Sequence, residues 1–516
     1  MTSRGEVTPD DRSRRQALFA GLAALTALVA PSAAGAQGRV RVPVGPTERT
    51  PRHPTTPLKP ALVDPAATWL TPELRLARRV TMGLNDAEAV RARQMGYSAY
   101  LDYQLDAESI DDSVTDSYVA ASWPTTTQDA STLFSANAGT VQTELTLASV
   151  FRAAFSARQL KERMVEFWSD HFNIYYPKVA YLKVIDDREV IRANALTTFP
   201  QLLRATAHSP AMLVYLDQSS SRKGAPNQNY AREIMELHTL GVNGGYTQTD
   251  VAELSRVLTG WTIAARGAAF TFDPNLHDFG AKTVLGVTIP AAATSVGAAA
   301  VNEGEQMLTL LVNHPSTATF IAAKMLQYFL RYDPSPGQIA AVAAVYANTG
   351  GDIKAMMRAV LSPENLLAAP AKFKRPYHFI LSAVRALSPV VTPAGAAAIN
   401  AQVNVAGQAM FNWLTPDGYP DTAQYWAGNF LPRWNAAASL ANANSATSIL
   451  FNVAPWMTPA TTANVVAQID RYVFAGEMPP RLRDELSAYI GANPSSAARV
   501  REAVGLAMSS SSFQYY

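Results

Sequence analysis

The sequence has no cysteine among its 516 residues. Without thiols the protein cannot form disulfides, thiolate zinc sites, iron–sulfur clusters or a cysteine nucleophile. Any metal ion must therefore be bound by His, Asp, Glu, Asn or water. Positive and negative charges are nearly balanced, since the sequence has 43 Lys and Arg and 41 Asp and Glu, which gives a formal net charge of +2. The composition therefore gives no indication of nucleic-acid binding.

Long hydrophobic runs are scarce, and the one near the N-terminus is short. Residues 17–29 are apolar, whereas roughly twenty apolar residues are needed to span a bilayer. The pair Arg14 and Arg15 precedes this stretch, and small residues up to Ala36 follow it. The order is typical of a twin-arginine signal peptide over residues 1–36. We expect cleavage after Ala36 and a periplasmic or secreted mature chain without a transmembrane segment.

The rest of the chain divides into a tether and a long helical region. Residues 37–65 are rich in Pro and Thr and show no helical period, which indicates a flexible extended segment. Residues 66–516 carry repeated helix start and stop signals and are long for a single core. We predict a mainly α, multi-helical domain with two lobes, 66–216 and 226–516. Short strand patterns separated by Gly, Pro and Asn predict a small antiparallel β element around residues 260–285.

Individual residues predict where several helices begin and end. Asn85 is expected to open a helix that Gly96 closes, since Asn is a favoured N-cap and Gly a favoured helix terminator. Ser316 and Ser335 are expected to cap two later helices. A helix-rich architecture follows from the recurrence of these signals.

The segment 227–240 predicts a helix with one polar and one apolar side. At 100° per residue, Glu233, Glu236 and Arg232 fall on the polar side and His238 on the apolar side. The core-facing side chains are predicted to be Tyr230, Ile234 and Leu237. Arg232 and Glu236, four residues apart, also fit an ordinary surface ion pair, and a histidine among apolar neighbours is most often a core residue. The functional interpretation makes Glu233 and Glu236 catalytic, Arg232 substrate-binding and His238 a metal ligand.

A second polar pattern is the acidic stripe Glu162, Glu166 and Asp170, spaced four residues apart. Like charges at this spacing repel, so a cation or nearby arginines must compensate them. Arginine compensation is the favoured interpretation. The arginines near in sequence are Arg152, Arg158, Arg163 and Arg188. His171 falls on the other side of this helix and is the second candidate metal ligand.

Two further segments supply the remaining candidates. His277 and Asp278 follow each other in a loop between predicted strands, and we select His277 as a metal ligand and Asp278 as a catalytic group. The segment 407–435 is rich in Trp and Tyr, which could stack on sugar rings, although aromatic residues are more often part of a core. Trp413 and Asp417 are the candidate substrate contacts in this segment.

The segments that carry these candidates also carry a family resemblance. The chain resembles a bacterial family of exported proteins known as the domain of unknown function number 1800. The motifs that carry the resemblance are FWSDHFN, NYAREIMELHTLGVNGGYTQ, HDFGAK, KFKRP and TPDGYPD. The family has no agreed activity, so the resemblance implies no reaction. It does imply an exported partner protein of alkaline-phosphatase-like fold.

Two functions fit these observations. The first is an exported metal-dependent enzyme, a hydrolase or oxidoreductase, in which zinc, iron or manganese is bound by His171, His238 and His277 with carboxylates nearby. In that case the ring nitrogens of His171 and His238 should lie within about 5 Å of each other. The second is a non-catalytic envelope binding or assembly protein acting with an exported partner. The sequence contains no nucleophile elbow, phosphate loop or two-histidine zinc helix. No catalytic motif of these kinds therefore argues against the second function.

Overall fold

Cap residues set the ends of several helices where the sequence predicts them. The side chain of Asn85 accepts a backbone hydrogen bond at the start of the second helix, and Gly96 ends that helix with a φ of 76°. Ser335 forms a reciprocal capping box at the start of a later helix. One cap is different, because the ring of His314 rather than Ser316 caps the helix that begins at residue 315.

The computed structural model describes residues 69–264 and 269–516, and the described chain is mainly α. The signal peptide and tether predicted over residues 1–65 lie outside the described residues. The α-helices are α1 Pro72–Val80, α2 Asp86–Met95, α3 Tyr97–Leu105, α4 Ser113–Ser122, α5 Ala130–Ser135, α6 Ala138–Phe155, α7 Gln159–His171, α8 Tyr176–Val179, α9 Leu182–Ile185, α10 Arg192–Asn194, α11 Phe199–Ala207, α12 Pro210–Tyr215, α13 Gln228–Met235, α14 Gln248–Val257, α15 Val301–Asn313, α16 Pro315–Phe329, α17 Pro336–Thr349, α18 Ile353–Val360, α19 Pro363–Leu367, α20 Pro376–Leu387, α21 Pro393–Val405, α22 Ala423–Trp426, α23 Phe430–Ala441, α24 Thr462–Ile469, α25 Pro480–Ile490 and α26 Ala497–Ser509. None of the helices described is both long enough and apolar enough to cross a membrane.

Short antiparallel strand pairs interrupt the helices. The strands are β1 Trp261–Ile263, β2 Phe270–Phe272, β3 Lys282–Val284, β4 Val287–Ile289, β5 Val390–Val391 and β6 Ile449–Leu450. They pair as β1 with β2, β3 with β4 and β5 with β6. The first two pairs form the small β element predicted around residues 260–285, and in the first pair Trp261 lies opposite Phe272.

Two hydrophobic clusters form the interior of the described chain. The larger cluster includes Leu160 and Trp168 of α7 together with Leu213 of α12 and Ile234 of α13. The second is built around α20 and α26. Residues on both sides of the segment 217–225 belong to the larger cluster. The division into two lobes, 66–216 and 226–516, stays a prediction.

Three helical stretches continue into π-helical turns, in which each residue advances by less than 100°. These turns are Asp186–Ile191, Glu236–Leu240 and Asp470–Phe474. The second directly extends α13 and therefore changes the phase of the helix predicted over 227–240. His238 is buried as predicted, whereas Leu237, predicted to face the core, is only half-buried.

Candidate functional site

The loop 413–421 is held in place by side chains from distant parts of the chain. The amide of Asn173 donates hydrogen bonds to the backbone carbonyls of Trp413 (3.0 Å) and Thr415 (2.7 Å). Tyr215 donates to the carbonyl of Leu414 at 2.7 Å. These bonds seat the loop beside α7, which ends two residues before Asn173, and beside α12.

Within the loop, Asp417 fixes its neighbours. Its Oδ1 atom accepts hydrogen bonds from the indole Nε1 of Trp413 at 3.1 Å and from the hydroxyl of Thr415 at 2.5 Å. The next residue, Gly418, has a φ of +73° and lies directly on the backbone carbonyl of Asp170. The aromatic ring of Trp413 is therefore oriented by a carboxylate, and the loop is in contact with the end of α7.

The polar side of α13 faces the same region. Glu236 accepts a hydrogen bond from the hydroxyl of Tyr246 at 3.0 Å, and Arg232 donates to Gln248 at 2.8 Å. Glu233 is half-buried and has no hydrogen bond or ion pair within the part of the chain that the structure describes.

Charge interactions link α13 to the loop. Burial, Glu236 and Asp417 all raise the pKa of Glu233, and Arg232 opposes the shift. The continuation of α13 and the loop both contact the end of α7, through the carbonyl of His238 and through Gly418. We call Glu233, Glu236 and Asp417 the carboxylate surface. The aromatic side chain of Trp413 lies next to it through its bond to Asp417.

Asp170 and Lys324 lie below the same loop. Burial raises the pKa of Asp170 to about 6, although its ion pair with Arg375 opposes the shift. Burial also lowers the pKa of Lys324, against the influence of Asp170. Asp417 also opposes the lowering of the Lys324 pKa, and Asp170 forms an ion pair with Arg375.

A buried charged network continues inward from Asp170. His378 lies 2.5 Å from Oε2 of Glu166, and Tyr328 donates to the same oxygen at 2.7 Å. Burial and Arg163 lower the pKa of His378 to about 3. Burial alone would raise the pKa of Glu166, but His378, Arg375 and Arg163 outweigh it and lower the value to about 2. At neutral pH the imidazole is therefore neutral, donates to the Glu166 carboxylate and accepts from Arg163.

The network also fixes the far end of the loop. Lys372 forms an ion pair with Asp421 at 2.7 Å, and Arg375 approaches the same carboxylate at 3.5 Å. The backbone carbonyl of Asp421 accepts a hydrogen bond from Gln327 of α16 at 3.1 Å. The acidic stripe is thus compensated by basic side chains, as favoured, but these are mainly Arg192 and Arg375 rather than the arginines nearest in sequence.

Two cavities border the buried network, and both are small. One of about 20 Å³ is lined by Lys374, His378 and Tyr516, among others. The other, of about 10 Å³, is lined by Glu166, Ser169 and further residues. Such volumes accommodate about one water molecule, whereas pockets for small-molecule ligands measure roughly 300–1,000 Å³. Neither cavity is therefore large enough for a small-molecule substrate.

His171 and His238 are neighbours in an aromatic core. Nε2 of His171 lies 3.1 Å from the backbone carbonyl of His238, and the two rings are 6.4 Å apart. Burial lowers the pKa of His171 well below the usual range and that of His238 to about 3. The surrounding rings are Phe172, Phe199 and Phe320. Both imidazoles are neutral at physiological pH.

His277 and Asp278 belong to a different cluster. His277 is fully buried, with Nδ1 at 2.7 Å from the carbonyl of Thr259 and Nε2 at 3.3 Å from Glu303. Asp278 forms an ion pair with Arg256 at 2.8 Å, and the hydrogen bond from Arg256 lowers the pKa of this carboxyl. These contacts hold the loop against α14 and α15.

The three histidines selected as metal ligands do not fit a shared metal centre. His171 and His238 have carbon-rich neighbours, and each has one buried nitrogen without a partner, Nδ1 of His171 and Nε2 of His238. His277 is engaged by other groups elsewhere. Within residues 69–264 and 269–516, no group of three or more His, Asp or Glu side chains is arranged to hold a metal ion. The orphaned nitrogens alone provide fewer ligands than a zinc site uses.

Sequence reasoning singled out Glu166, Asp170 and Arg163 of the buried network but missed Lys372, Arg375, His378 and Asp421. The sequence motif KFKRP contains Lys372 and Arg375, and TPDGYPD ends in Asp421. A signal was present, because the basic motif directly precedes α20, which is buried along its whole length. Charged residues next to a fully buried helix need buried partners. His378 of this helix gave no separate signal.

Comparisons with known proteins place the chain in a family. No curated protein and no solved structure matches it. Residues 75–515 match the family described as "Protein of unknown function (DUF1800)", a range that contains the carboxylate surface and the buried network. Because the match covers most of the chain, the protein belongs to the DUF1800 family.

Proposed function

We propose that the protein is an exported enzyme that hydrolyses its substrate by general acid–base catalysis at the carboxylate surface. The observation that supports the proposal is that the segments carrying Glu233 and Asp417 both contact the end of α7, through the His238 carbonyl and Gly418, and that the two carboxyl groups interact electrostatically. Paired carboxylates with different surroundings can serve as proton donor and proton acceptor in one reaction.

The surroundings suggest a role for each carboxyl group. Glu233 has a raised pKa and no hydrogen-bond partner, so it is the group best suited to remain protonated and donate a proton to a leaving group. Asp417 accepts hydrogen bonds from Trp413 and Thr415, which fix the orientation of its carboxylate. We assign Glu233 as the acid, Asp417 as the base that activates water, and Arg232 and Trp413 as substrate contacts.

The proposed reaction uses no metal ion. The sequence favours zinc, iron or manganese on histidines, but the described residues offer no three-ligand group for such an ion. The carboxylates supply the proton transfers that hydrolysis needs. His171 and His238 then stabilise the core beneath α13.

The experiment is a hydrolysis screen with matched variants. Purified protein is assayed against chromogenic esters, phosphate esters, glycosides and peptide anilides. We expect one class to be hydrolysed, with a loss of roughly 10²–10⁴-fold in kcat/KM for Glu233→Gln and for Asp417→Asn. The exposed carboxylate Glu485, paired with Arg481, provides the control Glu485→Gln, which should keep full activity.

The pH profile adds a second readout. Since the acid must be protonated, activity should fall as pH rises through the Glu233 pKa, and this limb should disappear in Glu233→Gln. Hydrolysis that Glu233→Gln leaves unchanged, or a folded wild-type protein that hydrolyses none of the classes, would reject the assignment.

Export is part of the same proposal and rests on the sequence alone. Arg14 and Arg15 with the apolar stretch 17–29 support the twin-arginine route, with Gln37 as the first mature residue. Mass spectrometry of the protein from the periplasm or medium should give that N-terminus. Replacing both arginines by Lys should retain the precursor in the cytoplasm, and undiminished export would reject the route.

A second candidate function is binding or assembly at the cell envelope with an exported partner. The observation that favours it is a set of exposed apolar side chains on α21 and α23, with Val405 70% exposed, Leu431 64% and Trp434 46%. A large exposed apolar area is typical of interaction sites. This function predicts no turnover in the screen and partner capture that Leu431→Asp abolishes.

A further inference from the structure

Three aromatic side chains form a surface next to the catalytic carboxylates. We call Trp413, Tyr419 and Tyr425 the aromatic platform. The ring of Trp413 lies 4.8 Å from that of Tyr419 and 6.2 Å from that of Tyr425. Tyr425 is 50% exposed, and the other two are half-buried. These rings are therefore not part of the core, contrary to what their frequency in this segment would suggest.

The platform is held rigidly from below and from the sides. Trp426 is buried beneath it, with ring centroids 4.7 Å from Tyr425 and 6.0 Å from Tyr419. Asp417 fixes the Trp413 indole, and the hydroxyl of Tyr419 donates to the carbonyl of Ala409 at 2.7 Å. Rings that are ordered before binding lose little entropy when a ligand stacks on them.

The charges around the platform restrict what can bind there. Asp417 is bonded to the Trp413 indole, Asp170 lies below the loop, and Glu233 interacts electrostatically with Asp417. An anionic ligand such as a nucleic acid would be repelled, since single-stranded nucleic acid needs a positive groove beside the stacking rings. A purely apolar ligand would leave the carboxylates without water or partners, which costs free energy.

Hydrogen-bonding groups of both kinds belong to the cluster of rings itself. The Asp417 carboxylate, which is bonded to the Trp413 indole, accepts hydrogen bonds, and the hydroxyl of the half-exposed Tyr425 can donate one. A sugar ring has apolar C–H faces that stack on aromatic rings and hydroxyls that both donate and accept. A quaternary ammonium ion would use the rings and carboxylates but none of the donors.

We propose that the aromatic platform and the carboxylate surface together bind neutral sugar units of an oligo- or polysaccharide. This inference rests on the proposed function and specifies its substrate class. Hydrolysis then breaks the glycosidic C–O bond, and Glu233 gives its proton to the leaving oxygen. Water adds its hydroxyl to the anomeric carbon and passes its remaining proton to Asp417.

Binding is tested on the Glu233→Gln protein, which keeps the ligand intact during the measurement. The probes are neutral hexasaccharides of glucose, N-acetylglucosamine and xylose, titrated by calorimetry. At least one should bind, and Trp413→Ala and Tyr425→Ala should each weaken it by about tenfold or more. Trp413→Tyr should retain most of the affinity, which separates loss of stacking from loss of folding.

The matched control is Trp434→Ala. Trp434 is 46% exposed, close to the 50% of Tyr425, but its ring contacts Phe430 and not the platform. Its removal should change the affinity by less than about twofold. An equal effect of Trp413→Ala and Trp434→Ala, binding of none of the hexasaccharides, or binding of choline chloride alone would overturn the proposal.

The outcomes also separate this inference from the proposed function. If a hexasaccharide binds at the platform but the wild-type protein never cleaves it, the ligand class stands and the hydrolase assignment fails. If another substrate class is cleaved in a Glu233-dependent manner while no hexasaccharide binds, the hydrolase stands and the sugar proposal is overturned.

Discussion

His238 is a buried imidazole whose Nε2 atom has no hydrogen-bond partner. Burial lowers its pKa to about 3, whereas an unfolded histidine has a pKa of about 6.5. Between these values the unfolded chain binds more protons than the folded chain, so the free energy of unfolding rises with pH in this window. The stabilising contribution of the neutral His238 is therefore complete above about pH 6.5 and is lost as pH falls toward 3.

This residue gives a direct prediction. In the variant His238→Gln, the slope of unfolding free energy against pH between about 6 and 4 should decrease by up to about 1.4 kcal/mol per pH unit, the value for one proton. Urea denaturation at a series of pH values measures this slope. The buried His171 remains in the variant and keeps its own contribution, so some dependence should persist. Parallel curves for the two proteins would contradict the burial of a neutral His238.

At the scale of elements, the π-helical turn Glu236–Leu240 shows where sequence periodicity stops being informative. A constant 100° per residue correctly places Tyr230 and Ile234 in the core, since both are buried in α13. After Met235 the wider turn changes the phase, and Leu237 becomes half-buried. Nothing in the local pattern of side chains distinguishes a π turn from an α turn, because tertiary packing selects it.

The sequence indicates which residues are candidates for the site, but it does not indicate that they lie near one another. Glu233, Arg232, Trp413 and Asp417 each stand out in the sequence through charge or aromatic character. That Asp417 acts on Glu233 depends on contacts between segments about 180 residues apart, and no periodicity reports such contacts. The environments of His171 and His238 were not predictable for the same reason, since distant rings set them.

The loop 413–421 carries its own prediction, which centres on Gly418. A Cβ atom added there would lie 2.2 Å from the carbonyl oxygen of Asp170, and the φ of +73° is strained for any other residue. Gly418→Ala should therefore destabilise the protein by about 2 kcal/mol or more and weaken function at the carboxylate surface. Thermal unfolding and the hydrolysis screen measure the two effects.

The control for this prediction is Gly428→Ala, where a Cβ would meet nothing within 4 Å. That change should be neutral or slightly stabilising, because alanine restricts the unfolded chain. Equal stability of Gly418→Ala and the wild type would mean that the loop does not lie against α7.

At the scale of the whole molecule, the buried charged network connects the two hydrophobic clusters. Arg163 and Glu166 belong to α7, which contributes to the larger cluster, and His378 belongs to α20 in the second cluster. The ion pairs and hydrogen bonds between these helices form only when both clusters are folded. Unfolding of one cluster alone would leave buried charges of the other cluster without partners, which costs free energy. Each folded cluster therefore stabilises the other.

Arg375 is the residue on which this coupling can be tested. Its side chain is 3% exposed and forms ion pairs with Glu166, Asp170 and Asp421. Arg375→Met leaves these carboxylates without their shared cation, and we expect a loss of roughly 3–5 kcal/mol in the free energy of unfolding. The exposed Arg358, paired with Asp102, provides the control Arg358→Met, for which about 0–1 kcal/mol is expected. Differential scanning calorimetry should give one transition for the wild type and for Arg358→Met, because the network makes the clusters unfold together. Two separate transitions in the wild type, or equal costs for the two variants, would show that the clusters are independent and that the network does not join them.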